Sequence, residues 1–287
     1  MLGAFETILR SIDDQIDSAD THQATRLLGQ LPVDIFGHIL LDVPTWLPNL
    51  RAFLPSMPPE DVQIGWTGSA GATLLRQSLT YYRGLRAEIA ALNGLDWSQA
   101  TVADYGCGWG RITRLFLQHT PSENIYALDP WDCSIELCRQ HGIKAHLLQC
   151  DYVPTDLPVG STKFDVINCM SIFTHLSERC HRQVLSVLRE YVNNDGILVA
   201  TIRPPEYWEI HEHYPSGLTP EAMRSIHRDQ GFAFIPHNRE PIDGDVTYGD
   251  TSIALDYIKA EWTDWNVEAV DLSLLDPFQL VLYLSPR

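Results

Sequence analysis

Between Thr101 and Arg203 short apolar runs alternate with segments of helical spacing, and this alternation limits the fold more than any other feature. "TVADYG" precedes an expected helix near Trp109 to His119, and "NIYALD" one near Asp132 to His141. "AHLLQCD" leads to a polar loop, "FDVINCMS" to a helix near Ser177 to Tyr191, and "GILVATIR" closes the series. Strands joined through helices make right-handed crossovers, which build a mostly parallel sheet covered on both faces. The expected class is a doubly wound α/β core.

The flanks read differently. Residues 1–98 form an expected helical N-terminal region or lid. Phe5, Ile8, Leu9, Ile12 and Ile16 recur at helical spacing, as do apolar residues from Leu74 to Leu92, while the proline-rich "DVPTWLPNLRAFLPSMPPEDVQIGWTGSAG" cannot be one helix. The α/β core spans 99–203. Residues 204–250 are too long for an ordinary connection and read as an irregular insertion capping the substrate site. In 251–287 a helix over "TSIALDYIKAEW" and the strands "NVEAVDLS" and "FQLVLYLS" complete the core.

The first strand breaks into Gly106, Gly108 and Gly110 before a helix, where open α/β sheets bind ligands. Glycine permits positive φ and lets a ligand lie against bare backbone. The pattern is G-x-G-x-G, and Arg111 occupies the place of the third glycine of a dinucleotide fingerprint, which weakens a pyrophosphate site. Asp129 ends the second strand, where a carboxylate accepts hydrogen bonds from both hydroxyls of a ribose. Asp104 beside the turn repels a pyrophosphate and suits a ligand carrying an ammonium and a sulfonium.

With 37 acidic and 20 basic residues the formal net charge is −17, so a nucleic-acid partner is not expected. The N-terminus has no positive region followed by an apolar run, and no apolar stretch approaches a membrane span. The six cysteines lack a C-x-x-C pair and read as reduced, mostly buried thiols of a cytoplasmic protein.

In order, "VADYGCGWG", "IYALDP", "LLQCDY", "FDVINCMSIFTHL" and "YVNNDGILVATI" resemble the motifs of the class I S-adenosylmethionine-dependent methyltransferases. The resemblance covers Thr101 to Arg203, with "FQLVLYLS" similar to the family's closing strand. It implies a Rossmann-like seven-stranded sheet whose last strand is antiparallel, with S-adenosyl-L-methionine as cofactor. Asp104, Gly106, Cys107 and Gly108 would then line the methionine moiety, and Asp129 would hold the ribose. Asp151 would meet the adenine amino group, with Tyr152 alongside and Pro130 and Trp131 packed on the ring. Met170 and Ser171 would lie next to the sulfonium.

Methyl transfer from a sulfonium requires mainly alignment of the acceptor and exclusion of water, with a base where the acceptor must lose a proton. His175 follows the fourth strand and is the first such base, or else a histidine that bonds the next helix. "YWEIHEHYPSG" adds His211 and His213 among aromatic residues in the cap, a setting suited to a small organic acceptor. His-x-His also occurs at metal sites, but no third ligand is placed with it, so no metal is expected. In "GWTGSAGATLLRQSLTYYR", Trp66, Gly68, Arg76 and Tyr81 are candidates for the cofactor carboxylate or the acceptor, beside an ordinary packing role. Arg111 and Arg203 either bind an acidic substrate group or, the favoured reading, pair with surface carboxylates.

The leading expectation is methyl transfer to a small molecule, foremost a hydroxyl of a metabolite or saccharide; the open assembly is a homodimer. Two alternatives stand beside it: a nicotinamide-dependent oxidoreductase, and a methyltransferase-like protein that binds without turnover.

Overall fold

A computed structural model describes residues 2–273 and 275–287. The chain is built as two compact units, Met1–Gln149 and Cys150–Arg287. In the first, helices α1 (Glu6–Ile16), α2 (Thr21–Leu28), α3 (Val33–Leu41), α4 (Pro48–Phe53), α5 (Glu60–Thr67) and α6 (Gly71–Asn93) come first. Strand β1 (Val102–Tyr105), helix α7 (Thr113–Phe116), β2 (Ile125–Asp129), α8 (Asp132–Gln140) and β3 (His146–Gln149) follow.

α1 buries Leu9, Ile12 and Ile16 on one face, and Asp13 with them. Asp13 is tolerated there because its carboxylate accepts the Leu50 N–H at 2.7 Å, one of the donors left without a partner in the first turn of α4. Proline breaks the stretch from 42 to 71 as expected: Pro48 opens α4 and Pro59 immediately precedes α5. α3 and α6 approach closely at Gly37, where a Cβ would come within 2.6 Å of the Leu79 side chain.

The second unit contains β4 (Phe164–Cys169), α9 (Glu178–Tyr191), β5 (Val192–Ile202), α10 (Tyr207–Ile210), α11 (Pro220–Gln230), β6 (Phe232–Pro236), β7 (Gly249–Ile253), α12 (Leu255–Glu261), β8 (Trp265–Ser273) and β9 (Asp276–Pro286). The seven-stranded sheet has the order β3-β2-β1-β4-β5-β9-β8. β2 is parallel to β1 and β3, β4 is parallel to β5, and the last strand, β9, is antiparallel to both β5 and β8. β1 is buried throughout, as is β4 except at partly exposed Asp165, in keeping with strands covered on both sides. Among the described residues no helix is long and apolar enough to cross a membrane.

Three local expectations need correction. The helix expected over Trp109 to His119 shrinks to α7, because Gly110 at φ 79° cannot lie in a right-handed helix and the Gln118 and His119 N–H groups bond carbonyls three residues back rather than four. The segment expected to be irregular has its own core, in which Trp208, Met223, Ala233 and Ile235 are buried together. Thr219 caps α11, Pro220 opens it, and Gly231 at φ 75° ends it. The expected helix over "TSIALDYIKAEW" begins only at Leu255, since Thr251, Ser252 and Ile253 pair with β6.

Candidate functional site

In the first unit the site is made of backbone. Gly106 and Cys107 both donate to the Leu128 carbonyl, at 2.7 and 3.0 Å, which ties the turn to the end of β2. All three glycines have positive φ, but they answer different needs. A Cβ on Gly110 would sit 2.7 Å from Ile143, so that glycine serves packing, whereas one on Gly108 would meet the Trp66 ring at 3.4 Å.

Asp129 is clamped beside Gly108. One carboxylate oxygen accepts the Gly108 N–H and the other the Trp131 N–H, both at 2.9 Å. Burial raises its pKa, while these two donors act in the opposite direction. Each oxygen keeps a second lone pair for a ligand donor. Trp131 is 43% exposed and stacks on Trp66 of α5, with ring centroids 4.9 Å apart. Two residues expected at a cofactor, far apart in sequence, are thus brought together over the glycine turn.

Asp104 is buried and accepts the Thr113 hydroxyl at 2.5 Å. A hydrogen bond with Cys138, reinforced by burial, pushes the Cys107 thiol well above its ordinary pKa. Pro130 is partly exposed, and its carbonyl accepts from the Gln149 amide at 3.2 Å. Arg76 is exposed on α6; the residue that α6 brings to the turn is Ser78, which accepts from Arg111 Nε at 2.9 Å. Arg111 is thus tied to a buried hydroxyl of α6.

Sequence reasoning missed Arg114. It is buried, stacks on Trp109, and donates to the Gly110 and Ser56 carbonyls, each at 3.0 Å. Burial lowers its pKa to about 10. By gathering main-chain carbonyls it pins the proline-rich segment to the glycine turn, a role that spacing in the sequence does not reveal.

In the second unit, Asp151 and Tyr152 are exposed just after β3, and the Tyr152 carbonyl accepts from the Cys180 thiol at 3.3 Å. Met170 is partly buried, and Ser171 at the end of β4 adopts φ 58°, which is rare for a residue with a Cβ. Its N–H donates to the Thr201 hydroxyl at 2.7 Å and its hydroxyl to Gln279 at 3.0 Å, so β5 and β9 hold the strained turn in place.

Behind that turn lies a cluster centred on Asp250, which sequence reasoning also missed. Asp250 accepts from Arg203 Nη1 at 2.5 Å, from the Tyr207 hydroxyl at 2.8 Å and from His237 Nε2 at 2.8 Å. Burial opposes its ionisation, but Arg203, then His237 and Tyr207, outweigh that and hold the carboxyl well below the usual range. The Arg203 guanidinium also lies 3.9 Å from the Tyr207 ring centre and donates to the Thr174 carbonyl. Arg203 does pair with a carboxylate, as favoured, but inside the protein rather than on its surface.

His175 donates from Nδ1 to the Gly249 carbonyl at 2.7 Å, which leaves Nε2 to accept from Arg203 at 3.3 Å. Burial, and then Arg203, push its pKa down to about 3, so it stays neutral with both nitrogens occupied. His211 donates from Nε2 to the His213 carbonyl at 3.0 Å and turns Nδ1 toward the Tyr207 hydroxyl at 3.3 Å. The His213 side chain is exposed. Among the described residues no group of three or more His, Cys, Asp or Glu is arranged to hold a metal ion.

Residues 102–196 match a family profile described as a methyltransferase domain. A curated relative, the malonyl-[acyl-carrier protein] O-methyltransferase of Paenibacillus sp. (strain JDR-2), is 28% identical over 123 residues, 41% of this chain and 44% of the relative. The chain thus spans less than half the length of that relative. Solved structures of similar shape include the glycopeptide N-methyltransferase MtfA complexed with sinefungin (16% identity, 70% of this chain and 92% of that one, TM-score 0.48). Another is the PH0226 protein of Pyrococcus horikoshii OT3 (15% identity, 72% and 91%, TM-score 0.49). The profile match lies on the glycine turn, the clamped carboxylate and the strands that carry them, so this part of the chain is similar to a methyltransferase domain.

Proposed function

We propose that the protein transfers a methyl group from S-adenosylmethionine to a hydroxyl of a small metabolite or saccharide. The observation that carries this reading is the clamp on Asp129. Two backbone donors fix the carboxylate, each oxygen keeps a lone pair for a ribose hydroxyl, and the exposed Trp131 ring beside it offers a face to adenine. This donor set fits a nucleoside.

When bound, the cofactor supplies an activated methyl group on a sulfonium. Asp129 would orient the ribose, Gly106 and Gly108 would give the methionine part room against bare backbone, and Asp104 would attract its ammonium. Asp151 and Tyr152 would meet the adenine, and the backbone of Met170 and Ser171 would face the sulfonium. α5, carrying Trp66, would act as the lid. Residues 204–250 would cap the acceptor with the partly exposed Tyr207 and Tyr214, while Trp208 lies in the core of that segment. The curated relative, named as an O-methyltransferase, supports oxygen as the acceptor atom. Cysteines that form no disulfide among the described residues suit a reducing compartment such as the cytoplasm.

Calorimetric titration with S-adenosylmethionine, S-adenosylhomocysteine and NAD(H) tests the reading. Binding of the two sulfur nucleosides alone is the expected result; binding of NAD(H) alone would replace methyl transfer with hydride transfer.

A further inference from the structure

Residues 58–71, which carry α5, leave the N-terminal helices and return to them at one point. Gln63 is the clasp: its Nε2 donates to the Pro58 carbonyl at 2.7 Å, and its Oε1 accepts the Gly71 N–H at 3.0 Å. One side chain thereby ties the entry of the segment to its exit, as in a compact loop whose ends meet. Just before it, Ser56 is fixed, since its N–H donates to the His141 carbonyl and its own carbonyl accepts from Arg114, each at 3.0 Å. Among the described residues of α5 only Gln63 is buried, whereas α1, α3 and α6 each bury several apolar side chains. A helix that buries no apolar side chain is weakly held and opens at low cost.

What this helix covers is the nucleoside face of the first unit. The Trp66 ring fills the space over Gly108, where a Cβ would meet it at 3.4 Å, and lies on Trp131 with the two rings 20° from parallel. Gly108 and Trp131 are the residues whose N–H groups hold Asp129, and Asp129 is only 7% exposed. A ligand that gives hydroxyls to this carboxylate and lays a flat base beside it needs the space that Trp66 occupies. The turn beneath is tied to β2 through the Leu128 carbonyl and does not yield. The ring on α5 can.

We infer that residues 58–71 are a gate held shut by the Trp66–Trp131 stack, and that the base of the donor takes the place of the Trp66 ring, an inference that rests on the nucleoside reading above. The contact is autoinhibitory: the stack lowers the population of the binding-competent state, and the apparent affinity falls with it. One aromatic ring is exchanged for another, so Trp131 stays covered in both states. Because Gln63 binds the two ends of the segment to each other, the segment tilts as one piece without giving up those bonds.

Fluorine NMR of the full chain labelled with fluorinated tryptophan reads both rings, with Trp66→Phe and Trp131→Phe identifying their resonances. Saturation with S-adenosylhomocysteine should move the Trp66 resonance to the position of a solvent-exposed ring. In stopped-flow fluorescence the binding rate should level off at high ligand concentration, because opening precedes binding. Trp66→Ala should abolish that plateau and tighten S-adenosylhomocysteine about fivefold, with Trp66→Phe in between. The inference is overturned if Trp66→Ala and Trp66→Phe bind no more tightly than the wild type, or if the Trp66 resonance stays in place at saturation. Failure of the wild type to bind S-adenosylhomocysteine would instead sink the nucleoside reading. The gate is then judged on the free protein, where exchange broadening of the Trp66 resonance supports it and a sharp, single stacked resonance refutes it.

Discussion

The glycine turn of the first unit and the Asp250 cluster of the second are held together in opposite ways. At the turn, backbone donors of Gly106, Cys107, Gly108 and Trp131 do the holding, and their partners lie within about one β-α-β repeat. At Asp250, side chains do it: Arg203, Tyr207 and His237 converge from 47, 43 and 13 residues away. A backbone site tolerates side-chain changes and loses ligand affinity first. A site built from buried side chains loses its own structure when the central group goes.

The sharpest way to break this comparison is to remove the hub. Asp250→Ala leaves Arg203 buried beside no carboxylate and should destabilise the protein by about 3–5 kcal/mol, read as a fall in the denaturation midpoint. A loss below 1 kcal/mol would mean that the cluster is not the framework of its unit. Asp129→Ala should act differently, weakening S-adenosylhomocysteine about 100-fold in calorimetry, the worth of two hydrogen bonds to a charged acceptor. Unchanged affinity would remove Asp129 from the ribose site.

Gly110→Ala probes packing beneath the turn. A methyl group at φ 79° and 2.7 Å from Ile143 should cost about 2 kcal/mol in thermal or denaturant unfolding. The pH dependence comes next. The folded-state pKa of His175, about 3, lies below its ordinary value of 6.5, so as pH falls the unfolded chain takes up the proton first. Stability is complete above pH 6.5 and declines toward pH 3, at up to about 1.4 kcal/mol per pH unit from this residue. His175→Gln should flatten that limb of the unfolding profile. Asp250, with its lowered pKa, acts in the same sense at lower pH: its stabilisation is present above the ordinary value of 3.8 and is lost as pH falls further. The smallest effect belongs to Thr219→Ala, which removes the cap of α11 and should cost about 1 kcal/mol, with cofactor affinity unaltered.

Legibility followed the same division. The seven strands and the carboxylate after β2 could be read because apolar runs and turn glycines are local signals. The pairing of Trp66 with Trp131 could be suspected of each residue but not of the two together, since 65 positions separate them. His175 was singled out for following β4, yet Arg203 and Gly249 occupy both of its nitrogens. Helix lengths failed where a side chain or a left-handed glycine took over the backbone bonds, as Gly110 and Arg114 do ahead of α7.

The sequence by itself determined the α/β alternation, the glycine turn and the acidic residue that ends β2, because each depends on neighbours within a strand or a turn. Only the tertiary structure decided that Trp66 covers Gly108, that Arg114 gathers main-chain carbonyls, and that one buried carboxylate draws together Arg203, Tyr207 and His237. The physical reason is that a ring's protonation and access depend on the donors and acceptors packed around it, and those arrive from elements that are distant along the chain.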